Sequence, residues 1–402
     1  MKIAIIDVNF DFSSTGKIVK DLMIYFESVG HEVQAFYGRG QSNLTQLSVT
    51  KISNDLETYF HAGLTRLTGF TGCFSYFSTK YLIERLEAFK PDVVHLHELH
   101  GYYINIYTVV DWLKKNEIPV VWTFHCEFMY TGKCGHSHEC NKWKSGCGEC
   151  PLLKEYPASF IDQTAHMFSK KKKLFESFEY LKIVTPSEWL LGRVKQSFLS
   201  NKDSRVIFNG IDTDNVFYPR MTSPQKLTGF DFSKPIVLAV APNILDANKG
   251  GDWVIELAKR FTSELNFILV GVNNLTRHYP DNVFPFPKTS DQSELAEFYS
   301  VSDLFVICSK RENFPTTCLE SLSCGTPVIG FDGGGTKETA PLPYGKFVEY
   351  GDLDSLENEI RKFFNRTSSL ADANQCRDFA LRTYSKQVMA QNYLNLYQEN
   401  FG

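Results

Sequence analysis

Short runs of apolar, β-prone residues recur along the chain, separated by stretches in which apolar residues return at helical spacing. The strand-like runs are KIAIIDV (2–8), EVQAFYG (32–38), DVVHLH (92–97), PVVWTFH (119–125) and YLKIVTP (180–186) in the first half. PIVLAVA (235–241), LNFILVG (265–271), DLFVICS (303–309) and TPVIGFD (326–332) follow in the second. Helical patterns such as GKIVKDLMIYFESVG, DWVIELAKRF and SELAEFYSVS lie between them, and YSKQVMAQNYLNLYQENF closes the chain as a helix. Near-continuous apolar strands alternating with helices predict parallel sheets covered on both faces. Residues 201–234, rich in Pro, Ser, Thr and Asp, read as a passage between domains. The pattern therefore predicts an α/β protein of two Rossmann-like domains facing across a cleft, one over 1–204 and one over 205–384.

Composition narrows the class of partner. The 402 residues are 43% hydrophobic and 22% charged, with a formal charge of −4. That is an ordinary globular balance and gives no reason to expect nucleic acid, whose binders are clearly basic. The N-terminus reads as a first strand and not as a signal peptide, and no apolar run approaches the ~20 residues of a membrane span. A cytoplasmic protein is expected, in which ten cysteines would be thiols or metal ligands more than disulfides. The basic run Lys170–Lys173 in a helical pattern reads as a solvated face, with anionic lipid as the alternative contact and hence peripheral membrane association.

Open α/β sheets bind ligands beyond the carboxyl ends of their strands. This rule selects the SSTGK loop (13–17) with Gly16, the HLHELHGYY segment (95–103), His125, residues 243–250, and the segment after Ser309. In the last of these, Thr317 followed by Glu320 forms a capping-box pattern, so a helix should begin there and end at Gly325. Its N-terminal N–H groups and dipole would make an anion site. Taken alone, Glu320 either caps this helix, with Glu312 a solvated loop charge, or the two glutamates serve the site. On the strand at 92–97, His95 and His97 share a face; with Glu98 and His100 they could be metal ligands, or side chains packed for structure.

The segment KRENFPTTCLESLSCGTPVIGFDGGGTKE resembles the donor-binding signature of glycosyltransferase family 4, the retaining GT-B enzymes. Its two glutamates, CGTPV strand and Gly-Gly turn fall at Glu312, Glu320, 324–331 and 333–335. The NGID turn at 209–212, the Lys249–Gly250 pair and SELAEFYSVSDLFV follow the same order over nearly the whole length. The resemblance implies a GT-B fold whose last helix, about 385–402, returns to the first domain. It implies a nucleotide-sugar donor, UDP- or GDP-linked, with its diphosphate near Pro315, Thr316, Thr317 and Cys318, flanked by Phe314. Lys249 would meet the leaving phosphate, Glu312 the sugar hydroxyls and Glu320 the ribose. Asn243 stands where the family usually has an Arg, so Lys310 or Arg311 would supply the missing charge. Gly16 would lie under the donor phosphate, and no catalytic metal is needed. The triplet Asp212–Asp214 falls in the NGID turn and is read as that turn, not as a metal-binding Asp-x-Asp. In the first domain the resemblance places a catalytic-region histidine at His125; where relatives carry an Asp next, Cys126 and Glu127 follow here, so the supporting carboxylate is either displaced or supplied by Glu127. It assigns His95, His97, His100, Tyr102 and Tyr103 to a glycan or lipid-linked glycan acceptor, in bacterial surface polysaccharide assembly.

Cys134, Cys140, Cys147 and Cys150 follow His125 with five, six and two intervening residues. The last spacing is that of a zinc knuckle and the first is too wide for a standard ribbon. A structural Zn²⁺ held by these four is expected, with His136 or His138 as substitute ligands; free thiols or a disulfide are the alternatives. Two rival functions are a nucleotide-sugar epimerase of the same fold and a zinc-loop interaction module on an inactive scaffold.

Overall fold

The computed structural model describes residues 1–41, 47–222, 224–227 and 230–401. The chain divides into two units, Met1–Ile207 with Ala390–Gly402 and Phe208–Met389. The sequence reading set the corresponding limits at 204 and 385.

The first unit holds strands β1 (Lys2–Asp7), β2 (Glu32–Tyr37), β3 (Val49–Lys51), β4 (Val93–Leu96), β5 (Val120–Thr123), β6 (Leu181–Thr185) and β7 (Ser204–Val206). They form one parallel sheet in the order β3-β2-β1-β4-β5-β6-β7. The order reverses between β1 and β4, the switch point at which doubly wound sheets place ligands. Among the described residues its helices are α1 (Ser13–Ser28), α2 (Asp55–Thr68), α3 (Tyr76–Phe89), α4 (Ile106–Lys115), α5 (Thr164–Glu176) and α6 (Glu188–Lys195).

The second unit repeats the plan with β8 (Ile236–Val240), β9 (Asn266–Val270), β10 (Val283–Phe286), β11 (Leu304–Ile307), β12 (Val328–Asp332) and β13 (Gly345–Glu349). Their order is β10-β9-β8-β11-β12-β13, again parallel throughout. Its helices are α7 (Gly251–Lys259), α8 (Gln292–Ser300), α9 (Thr316–Ser323), α10 (Leu353–Phe364) and α11 (Ala373–Tyr384). The final helix, α12 (Lys386–Phe401), carries its last turns into the first unit, where Tyr393 and Tyr397 are buried.

The central strands β1, β4, β5, β8, β9, β11 and β12 are buried almost without interruption, which is why their sequences read as continuous apolar runs. Leu304, Val306 and Ile329 pack toward one layer of helices, and Phe305, Ile307 and Val328 toward the other, as the two-residue period of a strand requires.

Two local expectations are corrected. The capping box at Thr317 does not form: α9 starts one residue earlier, after Pro315, with no side-chain cap. Glu320 lies in the second turn, buried, and accepts a hydrogen bond from the Tyr299 hydroxyl at 3.0 Å. The run Lys170–Lys173 is not a uniformly solvated face. Lys171 is buried and donates to the carbonyls of Phe128 and Thr131, while Lys170 folds over the Tyr107 ring at 4.1 Å.

Candidate active site

In the first unit, the carboxyl ends of β1, β4 and β5 bring together Asp7, the segment 97–103 and His125. His97 Nδ1 lies 3.0 Å from His125 Nε2 with the rings stacked at 12°. His125 is half-buried, and burial lowers its pKa while the Glu98 carboxylate opposes that shift. An imidazole held neutral can accept or relay a proton and hydrogen-bond a sugar hydroxyl.

Glu98 is the hub of the neighbouring cluster. Its carboxylate pairs with His100 Nε2, and the Cys126 thiol donates to Glu98 Oε2 at 3.4 Å while lying 3.4 Å from His100 Nε2. Burial pushes the Glu98 pKa up, but the charge and hydrogen bond of His100 more than offset it and hold it down to about 2. The same pair raises His100 well above its usual value against the effect of burial. His100 is therefore a cation on the wall of a small cavity that Tyr102, Phe128 and Tyr156 also line. Tyr156 reaches His100 Nδ1 at 3.4 Å.

The five acceptor candidates separate in space. His100 and Tyr102 are half-buried and line this cavity. His95 is fully buried, with Nε2 bonded to Thr123 at 2.8 Å and Nδ1 to Tyr397 at 2.6 Å. Burial drives its pKa down to about 3, so both nitrogens serve the interior. His97 is buried beneath His125, and Tyr103 is buried with its hydroxyl donating to the Glu98 carbonyl at 3.0 Å. Glu127 does not support His125. It is buried in the following loop, paired with Arg193, and accepts from Ser137 and Tyr130.

Sequence reasoning missed Asp7. Its carboxylate accepts from the Glu98 N–H at 2.9 Å and the Asn9 N–H at 3.3 Å, tying β1 to β4. Complete burial raises its pKa to about 7. An acidic residue ending an otherwise apolar first strand was the available signal. Gly16 packs so closely on Asn9 and Phe10 that a Cβ would stand 3.1 Å from their backbone atoms.

In the second unit Lys249 Nζ and Glu312 Oε1 form a 2.7 Å ion pair. Both loops are held by backbone. Gly250 adopts φ +75° with its Cα against the Cys308 carbonyl, where a Cβ would come within 2.0 Å. Glu312 donates to the Gly333 carbonyl at 3.1 Å and accepts from the Gly335 N–H at 2.8 Å, so the glycine turn sets its position. Pro315 leads into α9, whose first turn presents Thr316 and Thr317 half-exposed, while Cys318 points inward and burial raises its thiol pKa to about 12. Phe314 stacks on Phe208 at 5.2 Å with nearly parallel rings. Asn243 is half-buried in the turn before Lys249. Asp212 accepts from Asn215 and pairs with Lys386 at 2.6 Å, a turn anchor in agreement with its position in NGID.

All ten cysteines are unbridged. Cys134, Cys140, Cys147 and Cys150 line one cavity with Lys133 and Trp143. Among the described residues, the donor trio with all ligand atoms within 4.8 Å is Glu98, His100 and Cys126, not the loop cysteines.

A family model for Glycosyltransferase Family 4 matches residues 15–215, half of the chain, and one for Glycosyl transferases group 1 matches 228–380. A putative colanic acid biosynthesis glycosyl transferase, WcaC of Escherichia coli K12, is 27% identical over 77% of this chain and 76% of its own. The N,N'-diacetylbacillosaminyl-diphospho-undecaprenol alpha-1,3-N-acetylgalactosaminyltransferase of Campylobacter jejuni is 27% identical over 41% of this chain and 44% of its own. Anabaena HepE in complex with UDP-glucose superposes with a TM-score of 0.66 at 14% identity, over 99% of this chain and 100% of that one, a likeness of fold.

Two Rossmann-like units with these strand-end loops define a glycosyltransferase of the GT-B type. The chain belongs to Glycosyltransferase Family 4.

Proposed function

We propose that this enzyme transfers a hexose from a UDP- or GDP-linked donor to a glycan or lipid-linked glycan in surface polysaccharide assembly, with retention and without a catalytic metal. The Lys249–Glu312 pair beside the start of α9 carries the reading. A helix N-terminus and a lysine form a fixed positive site for a diphosphate, with stabilisation that strengthens as the leaving group gains charge. Thr316 and Thr317 present the helix N-terminus, Glu312 accepts from the sugar hydroxyls, and Glu320 is assigned to the ribose. Phe314 and Cys318 support this donor site from inside, and Asn243 borders the phosphates; Gly16, in the first unit, is assigned to the donor by its place in the SSTGK loop. His125 orients the acceptor, with His100 and Tyr102 in contact with it. His95, His97 and Tyr103 position these groups from below. The names of the Escherichia coli and Campylobacter jejuni relatives support a polysaccharide pathway and a lipid-linked acceptor. No described helix is long and apolar enough to cross a membrane; the reading places the enzyme on the cytoplasmic side, where nucleotide sugars are found. The test is a thermal-shift panel of UDP- and GDP-sugars followed by a transfer assay with the donor that binds. Donor-dependent stabilisation without any transfer or hydrolysis would refute enzymatic turnover, and interconversion of the donor sugar without an acceptor would establish the epimerase.

The cysteine loop is proposed to hold one structural Zn²⁺. Lys133 and Lys171 are buried beside it; Lys133 donates to the carbonyls of Leu152 and Glu155, and Lys171 donates to those of Phe128 and Thr131 and lies 3.6 Å over the Phe128 ring. Neither forms an ion pair with a carboxylate among the described residues. Buried cations need nearby negative charge. Four thiolates around Zn²⁺ would supply a net charge of about −2, which two disulfides would not. The Gly132 N–H already donates to Cys147 Sγ at 3.2 Å.

A further inference from the structure

Two neighbouring strands of the first unit run on into a cluster with the make-up of a metal site. β4 and β5 pair with Leu96 opposite Trp122; Glu98 and His100 follow the first strand and Cys126 follows the second. One oxygen, one nitrogen and one sulfur from these three side chains lie within 4.8 Å of one another. The Cys126 sulfur stands 3.4 Å from Glu98 Oε2 and 3.4 Å from His100 Nε2, and the Glu98 carboxylate contacts His100 Nε2 directly. Ligand atoms at about 2.0–2.3 Å from a tetrahedral ion are about 3.3–3.8 Å apart. Two edges of the triangle therefore have that spacing already, and only the Glu98–His100 contact has to open.

Other contacts hold the three ligands in position. Glu98 is pinned by its backbone on both sides, its N–H donating to Asp7 at 2.9 Å and its carbonyl accepting from the Tyr103 hydroxyl at 3.0 Å. Trp122 Nε1 donates to the His97 carbonyl at 2.9 Å and ties the end of β4 to β5. His100 turns its other nitrogen, Nδ1, to the Tyr156 hydroxyl at 3.4 Å, the kind of outer partner that a metal-bound histidine ordinarily has. Glu98 and Cys126 are buried, while His100 is half-buried on the wall of its cavity, so an ion has a way in from that side.

We propose that Glu98, His100 and Cys126 bind one Zn²⁺, separate from the ion of the cysteine loop, and that this ion withdraws His100 from the acceptor and so inhibits transfer. The inhibition rests on the acceptor reading of the His100 cavity; the binding does not. A thiolate beside an imidazole and a carboxylate suits a borderline-soft ion, not Mg²⁺ or Ca²⁺, which take oxygen ligands. Charge also balances. The three groups are a carboxylate, an imidazolium and a neutral thiol. Binding releases one proton from His100 and one from Cys126 as the dication enters, so the buried cluster is neutral before and after. Three protein ligands leave a fourth position to water, which makes the ion exchangeable where a closed four-thiolate loop would hold its own tightly.

The test is a titration of the full, untagged chain as purified, with Co²⁺ as the spectroscopic probe. Wild type should take up one ion with tetrahedral d–d bands and a charge-transfer band of one thiolate, about a quarter of the intensity per ion of a four-thiolate site. Zn²⁺ should displace it. Cys126→Ala should lose the charge-transfer band, and Glu98→Gln should weaken uptake about tenfold or more. Saturating Zn²⁺ should raise the acceptor KM of wild type about tenfold, the loss of one charged hydrogen bond, and leave that of Cys126→Ala unmoved. The donor-induced thermal shift should not change with the ion. The proposal is overturned if wild type shows no one-thiolate band, or if Cys126→Ala and Glu98→Gln both bind as wild type. Four-thiolate intensity that Cys126→Ala leaves intact would trace the ion to the loop and overturn it too, as would binding with no effect on acceptor KM. The wild-type spectrum decides the site even where a variant fails to fold. If no acceptor is turned over at all, the transferase reading fails, while the Co²⁺ spectrum still decides whether the trio binds metal.

Discussion

Replacing Lys249 by methionine separates a catalytic lysine from a structural one. Lys249 and Glu312 meet at 2.7 Å, with side chains 32% and 19% exposed. An ion pair this open to water is worth at most about 1 kcal/mol to folding. In a domain of this size, that corresponds to a fall in Tm of only about 2–4 °C. The same ammonium opposite a departing diphosphate acts on charge that develops during the reaction, and removing one such donor costs roughly 3–4 kcal/mol, or about 10²–10³ in kcat. Lys249→Met should therefore stay folded and turn over about 10²–10³-fold more slowly. The assay is steady-state transfer with the donor identified by thermal shift, run beside a melting curve of the same preparation. Activity within about threefold of wild type, or a collapse of Tm large enough to account for the lost turnover, would refute the assignment.

Further outcomes follow from the other contacts. Asp7 keeps its proton to about pH 7 in the folded protein but releases it near pH 3.9 when unfolded. Folding is thus favoured at low pH and loses stability as pH rises through about 7, so Asp7→Asn should gain on wild type progressively between about pH 4 and pH 8 in melting experiments. Gly250→Ala would force a Cβ to within 2.0 Å of the Cys308 carbonyl at a positive φ, and should cost several kcal/mol by denaturant unfolding. His100→Gln should raise KM for the acceptor while leaving donor-induced stabilisation intact, because His100 and the donor loops belong to different units. Protein purified without a histidine tag should carry about one zinc per chain by elemental analysis. Four thiols titratable without a chelator, or a mass four daltons below the reduced chain, would exclude it.

The central strands were legible and the edges were not. All nine strands read from the sequence occur, and the four that went unread, β3, β7, β10 and β13, are the four sheet edges. Their sequences, VTK, SRV, VFPF and GKFVE, are short and half-exposed, and one contains proline. Edge strands lack the two-sided burial that writes a continuous apolar run into the sequence, so the periodicity carries no signal there. The candidate site divides in a similar way. Strand-end positions such as His125 and the Lys249 and Glu312 loops were found by rule and motif. The partnerships within the first-unit site were hidden, because they join side chains distant in the chain. Nothing local in HCE announces that Cys126 turns to Glu98 while Glu127 turns away to Arg193. The capping-box pattern failed for the same reason: Tyr299, twenty-one residues earlier, competes for Glu320.

The return of α12 also bears on the order in which the molecule can be finished. Tyr393 bonds Thr123 at 2.8 Å, and Tyr397 bonds His95 at 2.6 Å, both inside the unit that is synthesised first. Until those last residues leave the ribosome, the floor beneath His97 and His125 lacks two buried aromatic side chains and two hydrogen-bond partners for groups with no access to water. The second unit, whose residues are contiguous, can close while the chain is still being made. The unit that is made first is thus completed only after the second, and a truncation that removes the last turns of α12 would act on the histidine site of the first unit.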